Sequence, residues 1–197
     1  IAREAARRGH RVTAYTRHLP ADPAPGVTYL QGSVYDPSVV AAADRADVVV
    51  LALHALTPDQ QPLINALPEV FEICEATGAR LGVVGGAGSS LVAPGGPRLV
   101  DTPEFNDAWR PEALALAAVL DELRAAGPRL DWFFVTPPAL FGAYAPGEAL
   151  GTYRTCGDVL VTKDDGSSEI SGEDYALAFV DEIEQHRHPR ARFTVGH

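Results

Sequence analysis

Three largely apolar runs constrain this chain more than any other feature: DVVVLAL at 47–53, RLGVV at 80–84 and LDWFFVT at 130–136. Each is the length of one strand, and none shows the polar-apolar alternation of a half-solvated strand. Strands of this kind are buried on both faces, which calls for a parallel sheet covered by helices on either side. The intervening segments supply the helices. Within 58–77, Ile64, Leu67, Phe71 and Cys74 recur at offsets of three, four and three, one face of a helix that Gly78 ends. Residues 111–126 carry Pro111 in the first turn and stop at Gly127. Upstream, 1–8 read as a helix closed by Gly9, 11–16 and 27–31 as short strands, and 37–45 as another helix. Strand and helix alternate, so the expected class is α/β with a doubly wound parallel sheet.

The last sixty or so residues have a different texture. Two short strands are expected within 151–162, a hairpin-like turn at Asp164-Asp165-Gly166, and a terminal strand at 192–195. Ser171-Gly172-Glu173-Asp174 has the form of a capping box that starts a helix, with Tyr175, Ala178, Phe179 and Ile183 as its buried stripe. At 197 residues the chain reads as one domain, with a core at 1–136 and a small C-terminal substrate lobe at 137–197.

Charge and composition exclude several functions. A net charge of −10 disfavours nucleic-acid partners, which need clustered basic side chains. No apolar run is long enough to span a bilayer, and Cys74 and Cys156 make neither a disulfide framework nor a metal cage. A cytoplasmic, metal-free protein acting on a small molecule, as monomer or homodimer, is the expectation. Lys163 is the only lysine, so any mechanism needing a lysine elsewhere is excluded, a Walker A loop included. The sequence holds no methionine and opens inside a helix, as though the fold began earlier.

In an open α/β sheet, ligands sit beyond the carboxyl ends of the strands, so the residues just after each strand are the informative ones. Arg17 follows the first strand. In a dinucleotide-binding fold an arginine there accommodates the 2′-phosphate of NADP(H), where an acid would select NAD(H); a solvated loop arginine is the other reading. His54 follows DVVVLAL, as a hydrogen-bonded structural histidine or as a neighbour of bound ligand. VVGGAGSS at 83–90 places Gly85, Gly86 and Gly88 where backbone approaches a ligand closely, although Gly-x-Gly-x-x-Gly fails at Leu91. The long loop at 85–106 carries Ser89, Asp101 and Glu104.

GHRVTAYTR, LQGSVYDP, VVGGAGSS, LVDTPEF, WRPEALA, LDWFFVTPPALF and ISGEDYALAFVDEIEQ follow one another in the order and spacing of one family. Together they resemble the atypical short-chain dehydrogenase/reductases of NAD(P)H-binding or NADH-flavin reductase type, relatives of the biliverdin reductase B and NmrA-like groups. The resemblance covers essentially the whole chain and implies a Rossmann-like fold. It also implies an opening strand and glycine loop, roughly 15 residues in such folds, ahead of the helix at 1–8; a trimmed chain is the expectation.

The resemblance assigns cofactor contacts to Arg17, Ser33, Val34, Leu53, His54, Ala55, Gly85, Gly86, Pro137, Pro138 and Ala139. The cofactor is NADP(H), with NAD(H) as the alternative. Ser33 stands where relatives carry an acid. The wider superfamily reduces carbonyls with Ser, Tyr and Lys, the last two four residues apart. Here Val159 stands four residues before Lys163, and the matching region reads Trp109-Arg110-Pro111-Glu112-Ala113. The expected activity is therefore hydride transfer to a flavin, quinone or enone, a reaction that needs orientation more than a protein acid. Ser89, Trp109, Tyr144 and Tyr153 are the candidates for the catalytic side, and Trp109, Phe141, Tyr144 and Tyr153 offer stacking surface. A non-catalytic NADP-binding sensor of NmrA type, or an epimerase- or dehydratase-like enzyme, is the alternative.

Overall fold

The strand-forming runs pair in parallel, as their two-sided apolar character demands. The structure, a computed structural model, describes residues 1–56 and 61–197. After a short helix α1 (Ala2–Arg7), β1 (Val12–Thr16) and β2 (Val27–Gln31) form a two-stranded parallel sheet in register Val12 to Val27. The second sheet holds β3 (Val48–Leu51), β4 (Arg80–Val84), β5 (Trp132–Thr136), β6 (Arg154–Cys156) and β7 (Ala191–Gly196), in the order β3-β4-β5-β7-β6. Only β6, at the far edge, runs antiparallel.

Helices α2 (Pro37–Ala41), α3 (Leu67–Thr77), α4 (Arg110–Ala125) and α5 (Gly172–Gln185) complete the layers. Alternate side chains of β5 serve opposite faces. Trp132 and Phe134 join the cluster containing Leu67, Val70 and Cys74 of α3 and Leu120 and Leu123 of α4. Phe133 and Val135 join the one containing Tyr175, Ala178 and Phe179 of α5. The sheet is thus wound on both sides, and the predicted stripes of α3 and α5 point inward. Burial pushes the Cys74 thiol up to about 11, so it behaves as a small core hydrophobe.

Several boundaries differ from the sequence reading. The helix expected at 37–45 gives way after Ala41 to a 3₁₀ turn, Ala42–Arg45. The one expected at 58–77 becomes α-helical at Leu67, behind a 3₁₀ turn at Leu63–Ala66, and its first residues, 58–60, lie outside the described residues. Within 151–162 one strand forms, not two. Residues after Cys156 are drawn to the 85–106 loop: Leu91 donates to the Asp158 carbonyl at 2.8 Å, and Leu160 donates back to Leu91 at 2.8 Å. Ser171 does cap the helix, its hydroxyl accepting from the Asp174 amide at 2.9 Å, but the Asp174 carboxylate takes that hydroxyl rather than the Ser171 amide, so the box forms on one side only.

No pairing joins β1 to β3, so the sheet is divided there among the described residues. The valines of β3 are only half-buried, whereas every residue of β5 is buried. Val34, after β2, packs against the α3–α4 cluster and carries apolar contact across the division.

One buried ion pair fastens β4 to α5. The Arg80 guanidinium reaches the Glu182 carboxylate at 2.5 Å and its carbonyl at 2.7 Å, while His188 supplies two further contacts to that carboxylate at 2.9 and 2.7 Å. Burial raises the Glu182 carboxyl, but these hydrogen bonds outweigh it and hold the group below the usual range.

Candidate functional site

Because β3, β4, β5 and β7 run parallel to one another, as do β1 and β2, the carboxyl ends of β3, β4 and β5 fall along one edge of the larger sheet, and those of β1 and β2 along one edge of the smaller. The expected site residues lie on these edges. At the end of β1, Arg17 is exposed, and its carbonyl accepts from Gln31 Nε2 at 3.0 Å. The Gly32 amide donates to Thr16 at 3.0 Å, so Ser33 and Val34 follow directly beside the Arg17 turn.

Beyond β3, Leu53 and His54 are exposed and Ala55 is buried. This turn is held by a residue that the sequence reading passed over. Glu112, in the first turn of α4, accepts from the Ala55 amide at 2.7 Å and the Leu56 amide at 2.8 Å. Its carboxylate also stands 3.4 Å from His54 Nδ1, whose side chain is 79% exposed. An acid one residue behind a helix-initiating proline suits the positive end of the helix, and that signal was legible. Its reach to a turn 57 residues away was not.

At the end of β4 the glycines are dictated by packing. A Cβ on Gly85 would lie 2.0 Å from the Phe134 ring, one on Gly86 2.8 Å from Leu116, and one on Gly88 2.7 Å from Ala113. The 85–90 loop therefore lies directly on the first turns of α4. Ser89 is buried, its hydroxyl donating to the Gly86 carbonyl at 3.5 Å. Arg192 of β7 braces the loop from below, donating to Ser90 Oγ at 3.1 Å and the Ser89 carbonyl at 3.4 Å, with Asp158 at 2.6 Å as its counter-ion. Burial lowers the Arg192 guanidinium, and Asp158 offsets part of that.

After β5, Pro137 and Pro138 are buried and Ala139 half-buried. Ala139 and Leu140 donate to Ser168, at its hydroxyl (3.2 Å) and its carbonyl (2.9 Å). The aromatic candidates separate clearly. Phe141 stacks on Tyr175 at 4.6 Å, and Tyr153 packs on the α5 cluster with its hydroxyl donating to Asp181 at 2.5 Å. Burial first, then Asp181, pushes the Tyr153 phenol above its ordinary value. Trp109 and Tyr144 remain exposed and touch each other, with ring centroids 5.8 Å apart.

Lys163 is occupied by Glu169 at 2.6 Å. Ser171, Asp174 and His197 form a second cluster that sequence reasoning missed. Ser171 and His197 both bond Asp174 Oδ2, at 2.9 and 3.0 Å, rather than each other, so this is no nucleophile–base pair. Leu150 and Gly151 donate to the same carboxylate, so the cluster fastens the 150–151 backbone and the last residue to α5. Among the described residues no His, Cys, Asp or Glu group is arranged to hold a metal ion, and no helix is long and apolar enough to cross a membrane.

A doubly wound parallel sheet with its exposed turns on the carboxyl edge defines a Rossmann-like nucleotide-binding domain. The chain belongs to the NAD(P)H-binding family, matching it over residues 1–186. It is 35% identical over 199 residues to the uncharacterized protein YwnB of Bacillus subtilis, covering 99% of this chain and 91% of that one. Among solved structures it is similar to a proposed NADH-flavin reductase from Streptococcus pneumoniae, with 34% identity, TM-score 0.85, and 98% and 90% of the two chains covered. A proposed epimerase from Bacteroides thetaiotaomicron is similar at 33% identity and TM-score 0.83, over 98% and 88%.

Proposed function

We propose that this protein is an NAD(P)H-dependent oxidoreductase that reduces a small, flat, conjugated acceptor of flavin, quinone or enone type, with NADP(H) preferred. The nicotinamide cofactor supplies a hydride when bound, and the second reducing equivalent's proton comes from water: NAD(P)H, acceptor and one proton give NAD(P)⁺ and the two-electron-reduced acceptor. Arg17 would hold the 2′-phosphate, with Ser33 and Val34 beside it at the adenosine end. Leu53, His54 and Ala55 would line the adenosine side. Gly85, Gly86 and the Pro137-Pro138-Ala139 turn would lie under and beside the nicotinamide. These turns fit an extended ligand: they lie on strand-end edges, and Arg17, Leu53 and His54 are exposed on them.

One observation supports the reading: the first turn of α4 meets the β4 loop at Gly88–Ala113. By the family resemblance, Trp109 and Ala113 on that turn stand where a carbonyl reductase would carry its acid and lysine. Such a site orients a hydride donor against an acceptor and leaves protonation to solvent. The test is NADPH oxidation against a panel of flavins, quinones and enones, beside a direct measurement of NADPH binding. Reduction of one acceptor class supports the reading. NADPH binding with no acceptor reduced would overturn it in favour of a sensor of NmrA type. The likeness to the Bacteroides protein favours one further assay, for epimerisation with the cofactor bound.

A further inference from the structure

We propose that Trp109 and Tyr144 form the stacking site for the acceptor, an inference that rests on the oxidoreductase reading and assigns its acceptor side. Of the large aromatic side chains, Tyr15 at 37%, Trp109 at 49% and Tyr144 at 63% are exposed, and the others are buried or half-buried. The two come from unrelated segments, the start of α4 and the loop after β5, yet their rings meet with centroids 5.8 Å apart and planes inclined by 31°.

Both rings are set in place by short turns. Trp109 is the N-cap residue of α4 and makes no side-chain cap bond. Its backbone is already helical (φ −96, ψ −12) and continues a turn in which the Asn106 side chain accepts from the Ala108 amide at 2.9 Å. Tyr144 sits in a tight turn closed by the Ala145 amide on the Gly142 carbonyl at 2.9 Å. Gly142 has φ +137, and a Cβ there would lie 3.1 Å from Tyr144 Cε1. Glycine thus permits the turn and clears space for the ring.

Their location matches. Trp109 stands one turn before Ala113, against which the Gly88 loop rests, and three residues before Glu112, which holds the end of β3. Tyr144 lies on the continuation of the Pro137–Pro138 turn, with Leu140 of the same segment also exposed. The pair therefore joins the β3–β4 side of the strand-end edge to the β5 side. Two rings at this separation leave no room for a third between them. A flat ligand stacks on the outer face of one ring, or enters between them as the Gly142–Ala145 turn swings away. Neither ring carries a charge, so what they offer is a stacking face for a conjugated ring system.

Riboflavin is a suitable uncharged probe, and the protein reports on its own site. It has two tryptophans, and Trp132 is 2% exposed within β5. Titrating riboflavin without NADPH is expected to quench a saturable part of the tryptophan fluorescence, and Trp109→Phe is expected to remove that part while preserving binding. Trp109→Ala and Tyr144→Ala, read through riboflavin's own fluorescence, are expected to weaken binding about tenfold, with melting temperatures close to the parent's. Saturable binding of equal affinity in both alanine variants, or no riboflavin binding by the folded parent, would overturn the proposal. The two readings fail separately. Saturable binding at Trp109 without NADPH turnover keeps the stacking site and removes the reductase. Flavin turnover at unchanged KM in both alanine variants keeps the reductase and removes the stacking site.

Discussion

Glu112→Gln tests the link between α4 and the turn after β3. The carboxylate accepts two consecutive amides, Ala55 at 2.7 Å and Leu56 at 2.8 Å. Glutamine offers one oxygen and turns an NH₂ group toward the second amide, so one bond becomes donor against donor. The Glu112 side chain is 29% exposed, and the two amides differ in what replaces it. Leu56 is exposed and finds water, whereas Ala55 is 2% exposed and does not. The net loss is close to one hydrogen bond to a charged group, about 1.5–3 kcal/mol. If the turn walls the cofactor, that loss appears as a rise of about ten- to a hundredfold in the NADPH dissociation constant. Fluorescence titration of NADPH measures it, and thermal melting run alongside is expected to show a fall of about 3–10 °C. Unchanged melting and unchanged affinity would show that Glu112 does not hold the turn. A lower melting temperature with unchanged affinity would show that the turn is held but does not touch the cofactor.

Other outcomes follow from the same contacts. Glu182→Ala leaves the buried Arg80 to the more distant Asp131 carboxylate, 3.5 Å from Nε, and is expected to cost about 3 kcal/mol in urea unfolding, with Glu182→Leu/Arg80→Met markedly milder. Because the folded Glu182 carboxyl lies below its unfolded value, its contribution is complete at neutral pH. It is lost as pH falls from about 4.3 through the folded value, so the gap in urea midpoint between parent and Glu182→Gln is expected to narrow there. Gly85→Ala would bring a Cβ to 2.0 Å from the Phe134 ring, and a loss of about 1–3 kcal/mol is expected by the same assay. Arg17→Asp is expected to lower the NADPH-to-NADH affinity ratio about tenfold or more by titration; an unchanged ratio would refute the 2′-phosphate assignment.

Much of the fold was legible because its signals are local. The both-face apolar runs became β3, β4 and β5, and the spacing of Leu67 and Cys74 marked the inner stripe of α3. The Ser171 cap could be read from four residues. The second strand expected within 151–162 failed because its partner lies sixty-odd residues upstream, where Leu91 takes the Asp158 carbonyl. Sequence order carries no record of that pairing. The aromatic candidates show the same limit. Tyr153 and Phe141 are no different in composition from Tyr144, and only packing sends the first two to the α5 cluster and leaves the third exposed.

The amino-acid sequence by itself determined the parallel α/β class, and with Lys163 as the only lysine it excluded any mechanism that needs a lysine elsewhere. Periodicity and residue identity carry those statements, and neither depends on distance in space. The tertiary structure alone decided that β1 and β3 do not pair, that Glu112 holds the turn at Ala55, and that Trp109 meets Tyr144. Each of these depends on bringing distant segments within a few ångströms, and that is settled by how the helices and loops fill the two faces of the sheet.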